Sequence, residues 1–151
     1  MMLVTFERNK QAIIFSVSAG KGCYRHICVS SNETLEDLAD IILYAFDFFN
    51  DHAHAFFMNN CAWSYKDCYY MKEVDLEDEY RHTCDYKLCQ LGLEKGDVFK
   101  FVFDFGDDWN FQCKVLRIIY ADMEEEKIIK SVGKSPEQYP DYEYKDKDDS
   151  F

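Results

Sequence analysis

Residues 97–115 read Asp97-Val98-Phe99-Lys100-Phe101-Val102-Phe103-Asp104-Phe105-Gly106-Asp107-Asp108-Trp109-Asn110-Phe111-Gln112-Cys113-Lys114-Val115. Phe99, Phe101, Phe103 and Phe105 recur at every second position, with Lys100, Val102 and Asp104 between them. Side chains two apart on a strand share a face, so 98–105 predicts a strand with one aromatic face. Gly106-Asp107-Asp108 has turn chemistry. Alternation resumes at Trp109 and runs on to Ile119. The pattern is a β-hairpin. Gly106 is expected to take an unusual backbone angle in the turn, and an aspartate side chain to bond nearby N–H groups.

Outward from this hairpin the same reasoning places other elements. Residues 11–18 and 24–29 are strand-like and flank the turn Ala19-Gly20-Lys21-Gly22, which predicts a second hairpin. Leu35, Leu38, Ile41, Ile42 and Ala45 repeat at helical spacing, behind a capping-box-like pair of Thr34 and Asp37. Residues 52–58 read as a strand, and 127–132 as a last strand. Residues 61–92 carry little period; within them 73–79 is acidic and expected exposed, and 84–91 a short helix ending at Gly92. Glu124-Glu125-Glu126 reads as a charged turn. The order is hairpin, helix, strand, irregular segment, hairpin, strand. It predicts an α+β fold: a mainly antiparallel sheet with a helix packed on one face, a β-grasp-like start and a C-terminal hairpin. One domain is expected over 1–138, with an acidic, frayed tail over 139–151.

Composition limits the function classes. The chain has 151 residues, 17 Lys and Arg against 29 Asp and Glu, and a net charge of −12. Residues 1–75 hold 6 basic and 10 acidic groups, and 76–151 hold 11 and 19. Neither half is basic and no Lys/Arg run appears, so direct nucleic-acid binding is disfavoured. No apolar run approaches the length of a membrane span, and no basic-then-apolar leader opens the sequence. Seven cysteines, an odd number without a two-residue metal-knuckle gap, fit reduced thiols in a cytoplasmic protein. A weak exception groups His82 with Cys84 and Cys89.

Two constellations carry candidate chemistry. Asp104, Gly106, Asp107, Asp108 and Trp109 form a candidate binding turn, with three carboxylates suited to hard cations and an indole to wall a ligand. The triplet Asp104-Phe105-Gly106 is not a kinase signature, because no Gly-rich loop or His-Arg-Asp loop accompanies it. His52 and His54 stand two apart in the expected strand and so share a side, where two imidazoles suit a divalent metal. A divalent metal at His52, His54 and the aspartate turn is the only cofactor the residues leave room for, and none is established. Arg25 is expected to pair with one of the turn aspartates or to bind an anion. Thirteen Phe, eleven Tyr and two Trp exceed what a small core needs, so Phe48-Phe49 and 65–70 are candidate contact surfaces.

Several of these segments together resemble the plasmid Ri open-reading-frame-three-like family of small plasmid- and transposon-associated proteins. Tyr24-Arg25-His26-Ile27 followed by Thr34-Leu35-Glu36-Asp37-Leu38 is similar to the family's strand and following helix. Residues 48–56, with His52 and His54, resemble its histidine-bearing segment. Residues 97–109 resemble its Asp-Phe-Gly-Asp signature, and 133–140 its ending, so the likeness spans roughly residues 10–140. Tyr24, His26 and Phe48-Phe49 depart from the family pattern. Phe111 stands where the family has a histidine, which removes any role resting on that ring. The resemblance implies no assigned biochemical function. It adds one association, with mobile elements, that would suit a nucleic-acid accessory role; the charge argues against it.

The sequence therefore predicts a cytoplasmic binding or adaptor module recognising a protein partner. The alternative is a metal-binding or metal-dependent hydrolytic domain using His52, His54 and the 104–108 turn.

Overall fold

In the computed structural model, residues 11–120 and 126–140 are described. They contain the strands β1 (Gln11–Gly20), β2 (Cys23–Ser30), β3 (His54–Phe57), β4 (Cys68–Tyr70), β5 (Arg81–His82), β6 (Val98–Phe103), β7 (Trp109–Tyr120) and β8 (Lys127–Val132). One α-helix, α1 (Leu35–Ala45), follows β2, and three short 3₁₀ turns lie between residues 72 and 90. The strands form one eight-stranded sheet in the order β5-β4-β3-β6-β7-β1-β2-β8. Each neighbouring pair is antiparallel except β4 with β5. This is the α+β architecture that the sequence predicts, with both hairpins, the helix and the last strand in place. The opening hairpin, helix and strand follow one another, but β3 docks on β6 rather than beside the first hairpin.

The helix begins where expected. The Thr34 hydroxyl accepts from the Asp37 N–H at 3.1 Å, and the Asp37 carboxylate accepts from the Thr34 N–H at 2.8 Å. Leu35, Leu38, Ala39, Ile42 and Leu43 are buried against the sheet. There they meet Phe15, Val17, Ile27, Phe99, Phe101 and Phe111, forming the main core. Phe46 and Phe111 rings lie 5.0 Å apart, inside the range where aromatic pairs add to plain burial.

Three local expectations change. The sixth strand ends at Phe103, and Phe105 crosses the sheet to pack with Ala55, Phe57, Tyr70 and Val102 in a second cluster. Within 84–91 the chain makes two 3₁₀ turns, Thr83–Asp85 and Leu88–Gln90, instead of one helix, because Tyr86 between them is extended. The 73–79 stretch is exposed except for Asp75, whose side chain is almost fully covered. At the boundary of the expected domain and tail, Gln138 and Tyr139 bond to residues 49–52. Residues 141–151 and the Glu124-Glu125 part of the charged turn lie outside the described residues.

After β8 the chain passes close to the first hairpin. At Gly133, with φ +82°, a Cβ would stand 2.1 Å from the Gly22 carbonyl oxygen. Only glycine fits such an approach, and it brings 134–139 back toward the end of α1. Among the described residues no helix is long and apolar enough to cross a membrane.

Candidate functional site

The 104–108 turn is built by its aspartates. Asp104 and Asp108 both take left-handed backbone angles, φ +60° and +55°. Asp tolerates this region better than most residues, because its short side chain bonds locally. The Asp104 carbonyl accepts from the Asp108 N–H at 2.6 Å, and its Oδ1 from the Asp107 N–H at 3.3 Å. The Asp104 N–H donates to the Ala53 carbonyl at 2.8 Å, fixing the turn to the start of β3. Gly106 is not left-handed, so the angle expected of it belongs to the aspartates on either side. Trp109 is half-buried and packs edge-on against Phe48 at 5.0 Å rather than walling an open site. The indole that does reach the turn is Trp63, whose Nε1–H donates to Asp108 Oδ1 at 3.1 Å.

His52 meets this turn. Its Nδ1 lies 2.8 Å from Asp51 Oδ1, 3.6 Å from Asp104 Oδ2 and 3.0 Å from the Tyr139 hydroxyl. The Tyr139 hydroxyl donates to Asp51 Oδ2 at 2.8 Å. The hydrogen bond with Asp51 outweighs loss of solvent around the ring and raises the imidazole above its ordinary value, with the charges of Asp104, Asp51 and Asp107 adding. Loss of solvent and the acceptor role of Asp51 push the Tyr139 phenol up to about 12. Both carboxylates approach the same ring nitrogen and favour its protonated form. Among the described residues the ring nitrogen is approached by two carboxylates and one phenol.

His54 does something different. It is 2% exposed, its Nε2 shares a 2.8 Å hydrogen bond with Thr83 Oγ1, and its ring packs on Phe56 and Phe101. Burial drives its pKa down to about 4. His52 lies in a bend before β3, outside the strand that the spacing argument assumed, and the two histidines serve separate environments. His52 joins the aspartates and His54 the core.

Arg25 departs from its expected partner. The guanidinium is buried and donates to the carbonyls of Ala45, Tyr24 and Val132 and to the Ser135 hydroxyl, at 2.7–3.0 Å. It also lies 4.7 Å from the Phe46 ring centroid. The turn aspartates are not among these partners, because the β2 register aims Arg25 at the end of α1.

Sequence reasoning missed one cluster. Asp75, Asp78 and His82 place ligand atoms within 4.8 Å of one another, and neither His52 nor His54 belongs to the set. His82 Nε2 lies 2.9 Å from Asp75 Oδ2 and 3.3 Å from Asp78 Oδ1, while Nδ1 faces Asp85 at 3.7 Å. Asp75 also accepts from the Glu79 and Tyr80 N–H groups. Although burial opposes it, these bonds hold the Asp75 carboxyl below the usual range. A recess of about 580 Å³ opens beside it, lined also by Lys72, Glu73 and Leu76. Spacing from Asp75 to His82 was the available signal, but no regular period linked them. Cys84, expected beside His82, turns its thiol to Asp85. No disulfide forms among the described cysteines.

A model of the plasmid pRiA4b ORF-3-like protein family matches residues 17–141, and the chain belongs to that family. The fold is similar to that of a protein of unknown function from Methanosarcina mazei Go1, whose crystal structure aligns with a TM-score of 0.71 and 20% identity. The alignment covers 90% of this chain and 78% of that one. No curated protein matches the chain. The Asp104 turn and the His52 segment, both part of the matched span, are the pieces that the fold brings together.

Proposed function

We propose that the protein is a non-catalytic binding module that recognises a protein partner through the edge formed by Phe49, His52 and Tyr139. One observation carries this reading: Phe49 is 73% exposed yet rigidly held. Its N–H donates to Gln138 Oε1 at 2.7 Å, and its carbonyl accepts from Gln138 Nε2 at 3.0 Å. Gln138 is itself buried and also donates to Asp51. A large ring presented on a fixed backbone loses little entropy on binding, which suits an anchor residue. A recess of about 390 Å³ lies alongside, between Phe46, Pro136 and Gln138. Asp47, Glu137 and Asp51 give this edge an acidic rim, so the complementary partner offers an apolar pocket with basic neighbours. Of the two aromatic stretches singled out in the sequence, Phe48 and Tyr69–Tyr70 are core, leaving Phe49 and Tyr65 exposed.

The test is co-purification followed by calorimetry with the isolated partner. Phe49→Ser is expected to weaken binding by roughly tenfold or more, the cost of losing an anchor. Asp108→Ala, on the far side of the turn, leaves it intact. A partner bound equally well by Phe49→Ser removes the reading.

The metal-binding alternative is favoured at one place, Asp75–Asp78–His82 instead of His52–His54. Ligand atoms on one tetrahedral zinc stand about 3.3 Å apart when bonds are about 2.0 Å, and His82 to Asp78 is 3.3 Å. Native mass spectrometry of untagged protein with Zn²⁺, Mn²⁺ and Mg²⁺ separates the sites. A stoichiometric metal lost in His82→Ala but kept in His52→Ala supports it; a bare polypeptide mass removes it.

A further inference from the structure

The acidic and basic groups of this chain are sorted by the sheet. None of the described Asp and Glu residues lies in a strand, whereas Arg25, Arg81, Lys100, Lys114, Arg117, Lys127 and Lys130 do. Arg25 points to the core side. Five of the others lie on the opposite face. Lys100 alternates with buried Phe99 and Phe101, so it faces away from α1. Lys114 pairs with Ser16, Ser16 with His26 and His26 with Lys130, which makes one row across β7, β1, β2 and β8. Lys100 pairs with Gln112, Gln112 with Ser18 and Ser18 with Tyr24, making the adjacent row. Arg117 and Lys127 extend the face through Ile14 and Cys28. Lys114, Gln112, Arg117, Lys127 and Lys130 are exposed.

We infer that this sheet face binds single-stranded nucleic acid, with Lys100, Lys114, Arg117 and Lys130 on the phosphates and Tyr24 and His26 as a stacking platform. The Tyr24 and His26 rings lie side by side, 5.2 Å apart at 35°, and Lys130 Nζ stands 5.8 Å from the Tyr24 centroid. A flat surface that interleaves rings with cations is the arrangement that takes unpaired bases and their backbone. Duplex DNA is a poorer fit, since among the described residues no helix or projecting ribbon is on this face to enter a groove. The charges bearing on this face agree: Lys130 acts on His26, and Lys127 and Arg117 act on Cys28. Whole-chain charge conceals the patch because acidic residues stand between its strands in the sequence, Asp104, Asp107 and Asp108 between β6 and β7 and Glu124-Glu125-Glu126 between β7 and β8. The inference stands apart from the Phe49 edge and uses different residues.

Fluorescence anisotropy of labelled oligo(dT), about 20 nucleotides long, tests it with the full chain. Four phosphate contacts on a single strand give a log–log salt slope of about −3, or a loss of roughly 50-fold between about 50 and 200 mM salt. Lys114→Glu with Lys130→Glu is expected to reduce affinity at least about tenfold while the circular dichroism melt is unchanged. Tyr24→Leu keeps the apolar contact and loses the stack, for a further loss of roughly fivefold or more. No anisotropy change at low salt overturns the inference. So does a double variant that binds normally. Unchanged binding by Tyr24→Leu, or equal competition by polyglutamate, overturns the nucleic-acid assignment and leaves an unselective polyanion surface.

Discussion

His52 Nδ1 stands 3.6 Å from the Asp104 carboxylate, although the two belong to separate segments of the chain, one entering β3 and one leaving β6. The antiparallel β3–β6 pairing sets this distance, with His54 opposite Phe103 and the Asp104 N–H bonded to Ala53. Asp51 takes the closer position on the same nitrogen, at 2.8 Å. The consequence is an imidazole whose protonated form is favoured by neighbouring carboxylates, beside the edge that presents Phe49.

This arrangement makes stability pH-dependent. His52 has a folded pKa above its unfolded value of about 6.5. Its contribution is therefore fully present below about pH 6.5 and is lost as pH rises through the higher folded value. Urea midpoints measured from pH 6 to about 8.5 are expected to fall across that window, and the fall to shrink in His52→Gln. A wild-type midpoint that rises over the same window, or an identical slope in the variant, contradicts this role of His52.

The Asp104 turn separates backbone strain from side-chain bonding. With φ +60°, Asp104 sits where a Cβ costs about 1–2 kcal/mol unless the side chain compensates. Its Oδ1 compensates by accepting from Asp107. Asp104→Asn keeps an acceptor and is expected to be the mildest change. Asp104→Gly removes both the strain and the bond. Asp104→Ala keeps the strain and loses the bond, and is expected to cost about 1–3 kcal/mol, the most of the three. Chemical denaturation ranks them; an alanine variant as stable as the glycine variant refutes the strain argument.

His54 predicts acid sensitivity of the opposite sign. Its neutral ring is buried with a folded pKa of about 4, against about 6.5 unfolded. Here the unfolded chain binds more protons between those values, so stability is present above about pH 6.5 and declines as pH falls toward 4. The difference corresponds to about 3 kcal/mol at the acid end. His54→Gln, which keeps a group able to bond Thr83, is expected to flatten the decline from pH 6.5 to 4.5. An equally steep decline in that variant assigns the acid sensitivity elsewhere.

Much of the fold was legible because its signals are local. The Phe99–Phe103 alternation, the Thr34–Asp37 box and the Leu35–Ile42 spacing each act within a few residues, and each appears as read. The site was legible only in part. His52 and Asp104 could be named from the sequence, but their meeting depends on β3 docking against β6, a pairing that no short-range pattern carries. Asp75 and His82 were hidden for the same reason, since a turn and an irregular loop leading into β5 join them. Arg25 misled because a strand arginine in an acidic chain suggests an ion pair, whereas the register of β2 offers it carbonyls. The cationic sheet face was invisible to a count of charge along the chain, because the basic residues of β6, β7 and β8 are separated in sequence by acidic connections.

Arg25 gives the sharpest packing prediction. Helix α1 has no basic residue in its last turn, and Arg25 from β2 supplies the positive charge there by bonding Ala45. The same planar fork reaches Tyr24, Val132 and Ser135, so one side chain ties the helix end to β2 and to the chain after β8. Lysine offers a single ammonium and cannot span these acceptors. Arg25→Lys is therefore expected to lose about 2–4 kcal/mol, since buried carbonyls go unsatisfied. Ser135→Ala removes one partner from the rim of this network and is expected to cost about 1 kcal/mol. Because the chain after Val132 continues to Gln138, which fixes the Phe49 backbone, Arg25→Lys should also speed amide exchange at Phe49. Denaturation and hydrogen exchange on the two variants check both effects. A lysine variant within about 0.5 kcal/mol of wild type, with Phe49 exchange unchanged, shows that the helix end and the Phe49 edge hold independently of Arg25.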